Sequence, residues 1–284
     1  MLDDTGVLVV GDAFVDVHAG PLESLPSWGT NTVSPRPICA LPGGSALNVA
    51  CALQRLHGNT LLFSGVGRDT FGDLLRAHCT QIGLRLWEAA ADGAAPTGVC
   101  MVLSGSEDRA FCSHFGVSDT FDTSELVTAK LAAVQPKLRH VHVAGFFSCG
   151  ALRRTLPAFL RRVHQLGLTT SLDTNNDASG GWGVVDGLWD EVLPLIDLFM
   201  PNELEACAIA GVSSLDTAIE KLASQVGGFV VVTRGAAGAV LAQKGAHNAK
   251  LSCEAPVVPV VDPCGAGDNF KAGFLFRFLS RAPL

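Results

Sequence analysis

A glycine-rich turn near the end of the chain, Asp262-Pro-Cys-Gly-Ala-Gly-Asp268, combines residue types suited to anion binding and proton transfer. It leads into Asn269-Phe-Lys-Ala-Gly-Phe274, which has the spacing of an amphipathic helix. The N–H groups of such a loop and the positive end of the helix dipole favour a bound phosphate. A carboxylate at Asp268 could take the proton of a hydroxyl group that attacks phosphorus. Asp is also a common helix N-cap, and these residues alone leave both roles open.

Further polar stretches follow short apolar runs along the chain. They are Gly11-Asp12 with Asp16, Pro42-Gly-Gly-Ser-Ala-Leu-Asn48, Gly65-Val-Gly-Arg-Asp69, Asp173-Thr-Asn175, Pro201-Asn202-Glu-Leu-Glu205 and Thr233-Arg-Gly235-Ala-Ala-Gly238. In open parallel sheets, ligands bind beyond the carboxyl ends of the strands, so we expect these stretches to meet at one edge. None of them is diagnostic by itself.

The elements that must position these residues alternate between strand and helix patterns, which predicts an α/β fold with a mostly parallel central sheet flanked by helices. Strands are predicted at 7–11, 60–65, 140–144, 169–173, 198–201 and 229–233. Helices are predicted at 46–57, 71–82, 152–165, 203–210 and 216–225, where apolar residues recur every three or four positions.

Two regions interrupt this alternation. Residues 13–40 are rich in Pro, Gly, Ser and Thr, and residues 97–116 have the pattern of two strands around Gly105-Ser-Glu-Asp108. Together they predict a small antiparallel β flap, or lid, over one end of the main sheet.

Composition excludes several classes of protein. The chain has 284 residues, of which 48% are hydrophobic and 17% charged, and its apolar runs are too short to span a membrane. The first residues show no secretory signal, which favours a cytoplasmic location. The net charge of −7 argues against nucleic acid as a partner, and the nine cysteines include no C-x-x-C pair. Neither a P-loop motif nor a G-x-G-x-x-G turn after the first strand is present.

The order and spacing of the polar stretches, ending in Gly265-Ala-Gly-Asp268, resemble the ribokinase-like (PfkB) family of carbohydrate and nucleoside kinases. The resemblance runs from about residue 5 to 280 and is most specific at Gly43-Gly44 to Asn48 and at the Gly-Ala-Gly-Asp turn. It implies a single kinase domain over residues 1–284, with a β lid and possible homodimers through that lid. ATP would be the co-substrate.

The resemblance also implies individual roles. The catalytic group would be Asp268 as the base, with the amides around Gly265, Ala266 and Gly267 as the anion hole. The acceptor would be held by Asp16, Gly43, Gly44 and Asn48. Nucleotide binding would involve Thr233, Gly235 and Gly238, and Mg²⁺ would be organised, through water, by Asn202 and Glu205.

Each of these positions also has a purely structural interpretation. Gly43 and Gly44 could form only a turn before a helix, and Gly235 and Gly238 only a turn between strands. Asn202 could cap the helix that follows it, with Glu205 as its partner in a capping box. On the other side, carboxylate and amide groups suit sugar hydroxyls, and Mg²⁺ prefers oxygen ligands and keeps several waters.

The chain departs from the family pattern in two places. Pro263 stands where the family has threonine, which removes an N–H and a hydroxyl from a loop that in the family helps to bind K⁺. The last residue is Leu284, and relatives usually continue with further helices, so a shortened adenine pocket is expected. The sequence therefore predicts an ATP-dependent kinase of a sugar-like hydroxyl group, with a catalytically impaired sugar-binding relative as the alternative.

Overall fold

The main sheet lies at the centre of the molecule and is parallel over most of its width. The computed structural model describes residues 6–90, 95–105, 109–127, 129–134, 138–183, 187–245, 250–259 and 263–280. The strands are β1 (Gly6–Gly11), β2 (Phe14–Ala19), β3 (Cys39–Gly43), β4 (Thr60–Ser64), β5 (Arg85–Glu88), β6 (Gly98–Ser104), β7 (Arg109–His114), β8 (Leu138–Ala144), β9 (Thr169–Leu172), β10 (Leu198–Phe199), β11 (Phe229–Thr233), β12 (Ala239–Gln243) and β13 (Lys250–Cys253). Nine of them form the main sheet in the order β13-β12-β11-β10-β9-β8-β1-β4-β5.

Strands β11 to β5 of this order pair in parallel, whereas β12 and β13 add an antiparallel edge. The predicted mostly parallel sheet is confirmed. Strand β10 ends at Phe199, two residues earlier than predicted. Pro201, which follows, has no N–H to extend the ladder.

Helices cover both faces of the main sheet. They are α1 (Ser45–His57), α2 (Thr70–Gln81), α3 (Val117–Thr120), α4 (Ser124–Val127), α5 (Ala129–Val134), α6 (Gly150–Gln165), α7 (Leu188–Val192), α8 (Glu203–Ala210), α9 (Leu215–Gln225) and α10 (Ala266–Leu279). Strand β1 shows why both faces are apolar: Leu8 and Val10 belong to one hydrophobic cluster, and Val7 and Val9 belong to the other. In the described part of the chain, no helix has the length and apolar character to cross a bilayer.

A second sheet, in the order β3-β2-β6-β7, stands apart from the main sheet. Its existence agrees with the expected lid, but the expectation of a purely antiparallel flap is wrong, because β2 and β6 pair in parallel. The physical reason is that β2 follows β1 and β6 follows β5, and these two main-sheet strands point the same way. The tip of the β6–β7 turn, residues 106–108, lies outside the described residues, as does Asp262 of the glycine-rich turn.

Phe63 is a buried aromatic residue whose replacement tests the packing of the hydrophobic core. Its ring lies 5.5 Å from that of Trp87 and 5.8 Å from that of Phe121, and it has no exposed surface. We expect Phe63→Ala to lower the free energy of unfolding by about 3–5 kcal/mol, because it leaves a cavity. Urea denaturation measures this loss.

The matched control is Phe111→Ala, at a ring that is 58% exposed. Its expected change is about 1 kcal/mol or less. Equal losses for the two variants would contradict the assignment of Phe63 to the core.

Candidate active site

The functional residues predicted from the sequence gather at the carboxyl edge of the main sheet. Asp12 follows β1, Asp173 follows β9 and Asn202 follows β10. Helix α10 packs along α1 with its N-terminal end at the same edge, so that Asp268 reaches Asn48. Chain segments more than 200 residues apart therefore meet here, as expected for an open parallel sheet.

The glycine-rich turn forms the start of α10. Gly265 is the N-cap residue with φ 72°, a conformation that favours glycine. The amide of Ala266 donates to the carbonyl of Pro263 at 3.2 Å, and the amide of Asn269 donates to the carbonyl of Gly265 at 2.9 Å. The amides of Gly267 and Asp268 precede this first helical hydrogen bond and have no acceptor within the helix. Pro263 is thus compatible with the turn.

Asp268 is the third residue of α10, so it is not the N-cap. Its side chain is turned inward and is 12% exposed. Asn48 Nδ2 donates to Asp268 Oδ2 at 2.8 Å. The capping interpretation of Asp268 is therefore wrong for this helix, because the carboxylate contacts another helix instead of its own first turn.

The environment of Asp268 makes its ionisation harder. Burial raises the pKa of Asp268 to about 6, against the lowering effect of Lys271; Asp173 and Asp16 raise it further, and the hydrogen bond from Asn48 lowers it. The carboxylate nevertheless predominates at neutral pH. A group with these properties is suited to accept a proton.

A buried ion pair between Lys271 and Asp173 lies next to Asp268. Lys271 Nζ is 2.6 Å from Asp173 Oδ2 and 3.9 Å from Asp268 Oδ1. Asp12 is fully buried beside this group, and its burial raises its pKa to about 7. The motifs of the sequence predict no role for Lys271. The available signal was its spacing of three residues from Asp268, which places both side chains on one helix face.

The residues expected to bind the acceptor are brought to the same place. A side chain at position 43 would overlap the carboxylate of Asp16, so glycine where β3 pairs with β2 leaves room for that carboxylate in its present position. Gly44 has φ 97° and is the N-cap of α1, which carries Asn48. Gly43 and Gly44 therefore do form the turn before the helix, and they also bring Asp16 and Asn48 to the site.

The residues expected to bind the nucleotide lie next to Asn202, one of the two residues expected to hold Mg²⁺. Thr233 ends β11, forms an isolated bridge with Asn202 and donates its amide to the carbonyl of Pro201 at 3.1 Å. Between β11 and β12 there is a single 3₁₀ turn, Gly235–Ala237. Gly235 begins it with φ 53°, and Gly238 is its C-cap with φ 85°. A side chain at 238 would overlap the carbonyl of Cys253, whereas the space around 235 is open. The turn alone accounts for both glycines.

Asn202 and Glu205 form a capping box, which is the structural interpretation that the sequence offered for them beside a role in Mg²⁺ binding. Asn202 Oδ1 accepts from the Glu205 amide at 2.9 Å, and Glu205 Oε2 accepts from the Asn202 amide at 3.0 Å. Glu205 Oε1 accepts from Asn202 Nδ2 at 2.6 Å. Burial raises the pKa of Glu205 to about 7; Asp173 adds to this effect and Lys271 opposes it.

The side-chain oxygens of Asn202 and Glu205 fit a metal ion that is also bound by a phosphate ligand. Both carboxylate oxygens of Glu205 already accept hydrogen bonds from the protein. No cluster of three metal-ligating side chains occurs among the described residues. Contact with Mg²⁺ through a bound water agrees with this arrangement better than a cage of protein ligands.

The fold and the polar edge together are those of a ribokinase-like protein. A family model described as pfkB family carbohydrate kinase matches residues 4–284, and the chain belongs to this family. It is a kinase, a phosphotransferase with an alcohol group as acceptor. The family uses ATP.

Two curated relatives and one solved structure illustrate the similarity. The chain is 30% identical to acarbose 7(IV)-phosphotransferase of Actinoplanes sp., over 100% of this chain and 88% of that protein. It is 27% identical to adenosine kinase of Schizosaccharomyces pombe, over 82% and 72%. A protein from E. coli assigned as Ribokinase II, solved with ATP and Mg²⁺, superimposes with a TM-score of 0.78 and 21% identity, over 98% and 87%.

The raised pKa of Asp268 predicts a pH dependence of stability. From about pH 4 to about pH 6 the folded protein keeps a proton that the unfolded chain has lost, so the free energy of unfolding falls as pH rises through this window. Asp268→Asn removes this effect. We expect the stability difference between about pH 4.5 and about pH 8 to shrink by roughly 1–3 kcal/mol, measured by urea denaturation.

Asp216→Asn is the control, since Asp216 pairs with Lys250 at 2.8 Å on the surface and its pKa is lowered by that lysine. Its titration therefore lies below the window. An unchanged pH difference in Asp268→Asn would contradict the buried, proton-retaining state of Asp268.

Proposed function

We propose that the protein transfers the γ-phosphoryl group of ATP to a hydroxyl group of a sugar or nucleoside, with Asp268 as the general base. The observation that carries this proposal is the position of Asp268. Its carboxylate is buried and accepts a hydrogen bond from Asn48. Asp268 belongs to the first turn of α10, and the amides of that turn can bind an anion. A base and an anion-binding site are thereby placed within one turn.

The reaction needs little covalent participation by the protein. The acceptor hydroxyl gives its proton to Asp268, and its oxygen forms a bond to the γ-phosphorus. The bond between that phosphorus and the β,γ-bridging oxygen breaks, and ADP leaves with the electron pair. The pKa of about 6 favours this role, because the base is ionised at neutral pH and still takes up a proton.

The first-turn amides would stabilise the charge on the transferred group. Those of Gly265 and Gly267 stand at the positive end of the dipole of α10, a helix of 14 residues. The amide of Ala266 donates to Pro263, so its contribution would be to shape the turn. A monovalent cation such as K⁺ at this turn stays a prediction from the family resemblance.

The acceptor would lie between Asp268 and the small sheet. Asp16 and Asn48 would bind its hydroxyl groups, with Gly43 and Gly44 allowing close approach of the backbone. The small sheet of β2, β3, β6 and β7, which the predicted lid regions 13–40 and 97–116 contribute to, would act as the lid, and homodimers could form through it. The names of the two relatives, one an acarbose kinase and one an adenosine kinase, support the breadth of this acceptor class.

The nucleotide would lie on the other side of Asp268. Thr233, Gly235 and Gly238 would contact ATP along the turn after β11. Asn202 and Glu205 would hold Mg²⁺ through water, and the metal would neutralise phosphate charge. The E. coli structure with ATP and Mg²⁺ supports this pairing of nucleotide and metal in the fold.

Replacing the base tests the mechanism. Asp268→Asn keeps the size of the side chain and removes its basicity, so we expect kcat to fall by roughly two orders of magnitude or more. ADP formation is measured with Mg²⁺, ATP and a panel of sugars and nucleosides, and the product is identified by mass spectrometry. Asp216→Asn, which makes the same chemical change on the surface, should keep wild-type activity. Full turnover by Asp268→Asn would overturn the assignment of the base.

Glu205→Gln tests the metal assignment. Glutamine also serves at the third position of a capping box, so the helix start is kept while the charge is lost. We expect the Mg²⁺ concentration for half-maximal activity to rise by about tenfold or more. The control is Glu220→Gln on α9. An unchanged Mg²⁺ requirement would show that Glu205 serves only the capping box.

A further inference from the structure

Lys271 is a buried cation for which the transfer chemistry described above has no use. It lies one turn after Asp268 on α10 and is 8% exposed. A buried ammonium group carries a large desolvation penalty unless it is paired. Its closest partner is Asp173 Oδ2 at 2.6 Å, and Asp268 Oδ1 lies at 3.9 Å.

The groups around Lys271 and Asp268 are mostly acidic. Asp12 lies after β1, Asp16 on β2, Asp173 after β9 and Glu205 on α8. His142 on β8 also faces Lys271, but its pKa is lowered to about 3 by burial and by Lys271, so it is neutral. Of the three neighbouring charges with the largest effects on Asp268, those of Asp173 and Asp16 are negative and that of Lys271 is positive.

The surrounding carboxylates determine the protonation state of Lys271. Burial lowers its pKa, but the carboxylates of Asp173 and Asp268 outweigh burial and raise it above the usual lysine value. The ammonium group is therefore charged at neutral and acidic pH. It also approaches a different oxygen of the Asp268 carboxylate from Asn48: Asn48 donates to Oδ2, whereas Lys271 Nζ lies 3.9 Å from Oδ1.

We propose that Lys271 is a positioning residue for the transfer step: it bridges Asp173 and Asp268 and holds the base ionised and in a fixed orientation. This inference rests on the proposed role of Asp268. It extends that role to a residue that touches neither the acceptor nor ATP. Without the ammonium group, Asp268 would face Asp173 and Asp16 with no compensating charge, and its proton would leave only at higher pH.

The test is the pH profile of kcat/KM for the whole chain, with the acceptor that gives the highest wild-type activity. Activity falls at low pH as Asp268 becomes protonated. In Lys271→Met, we expect this acid limb to move up by roughly one pH unit, so that kcat/KM falls by about fivefold more near pH 6 than near pH 8. Lys271→Arg keeps the charge and should restore the wild-type limb.

Asp173→Asn gives the opposite expectation. It removes a negative charge near Asp268 and releases Lys271 from its shortest contact, so the acid limb should move to lower pH. Opposite shifts in two variants of one ion pair cannot result from general damage to the fold. If Lys271→Met does not fold, Lys271→Gln, which is polar and also lacks the charge, takes its place with the same expected upward shift of the acid limb.

Lys250→Met is the matched control, since Lys250 pairs with Asp216 on the surface, and its acid limb should match that of the wild type. Coincident limbs in Lys271→Met and wild type, or shifts of both ion-pair variants in the same direction, would overturn the inference while leaving the kinase assignment intact. A wild-type protein that phosphorylates no acceptor would instead overturn the proposed function, and the role of Lys271 with it.

Discussion

The contact of Lys271 with Asp173 and Asp268 connects the last described helix to the carboxyl edge of the main sheet. Asp173 belongs to the segment after β9, whereas Lys271 and Asp268 belong to α10. Together with the hydrogen bond from Asn48 on α1, this contact sets the depth at which α10 enters the site. The first-turn amides and the carboxylate of Asp268, the proposed base, have their positions because α10 is held there.

The buried carboxylates at the carboxyl edge of the main sheet are unfavourable for folding. Asp12, Asp268 and Glu205 each have a raised pKa, and in each case burial is the main cause. Groups of this kind destabilise the folded state when they are ionised. Their concentration at one sheet edge, beneath a second sheet, agrees with a site selected for chemistry rather than stability.

Several residues serve the fold and the proposed chemistry at once. The capping box of Asn202 and Glu205 starts α8, and the same carboxylate lies near Lys271 and Asp173. Gly43 leaves room for the carboxylate of Asp16, which is itself expected to bind the acceptor. At such positions, the structural and functional interpretations of the sequence do not compete, because the same geometry meets both needs.

The sequence by itself determined the fold class, the main parallel strands and the family, because strand and helix periods and the spacing of glycines and acids are local properties of the chain. Strands β5, β12 and β13 and the short helices α3 to α5 were missed, since they are short or lie at edges where burial is weak. The tertiary structure alone decided that β2 and β6 pair in parallel, that Asp268 contacts Asn48 instead of capping its helix, and that Lys271 is buried between two carboxylates. These features depend on which distant segments meet, and the free energy of a buried charge is set by its neighbours in space rather than by its neighbours in sequence.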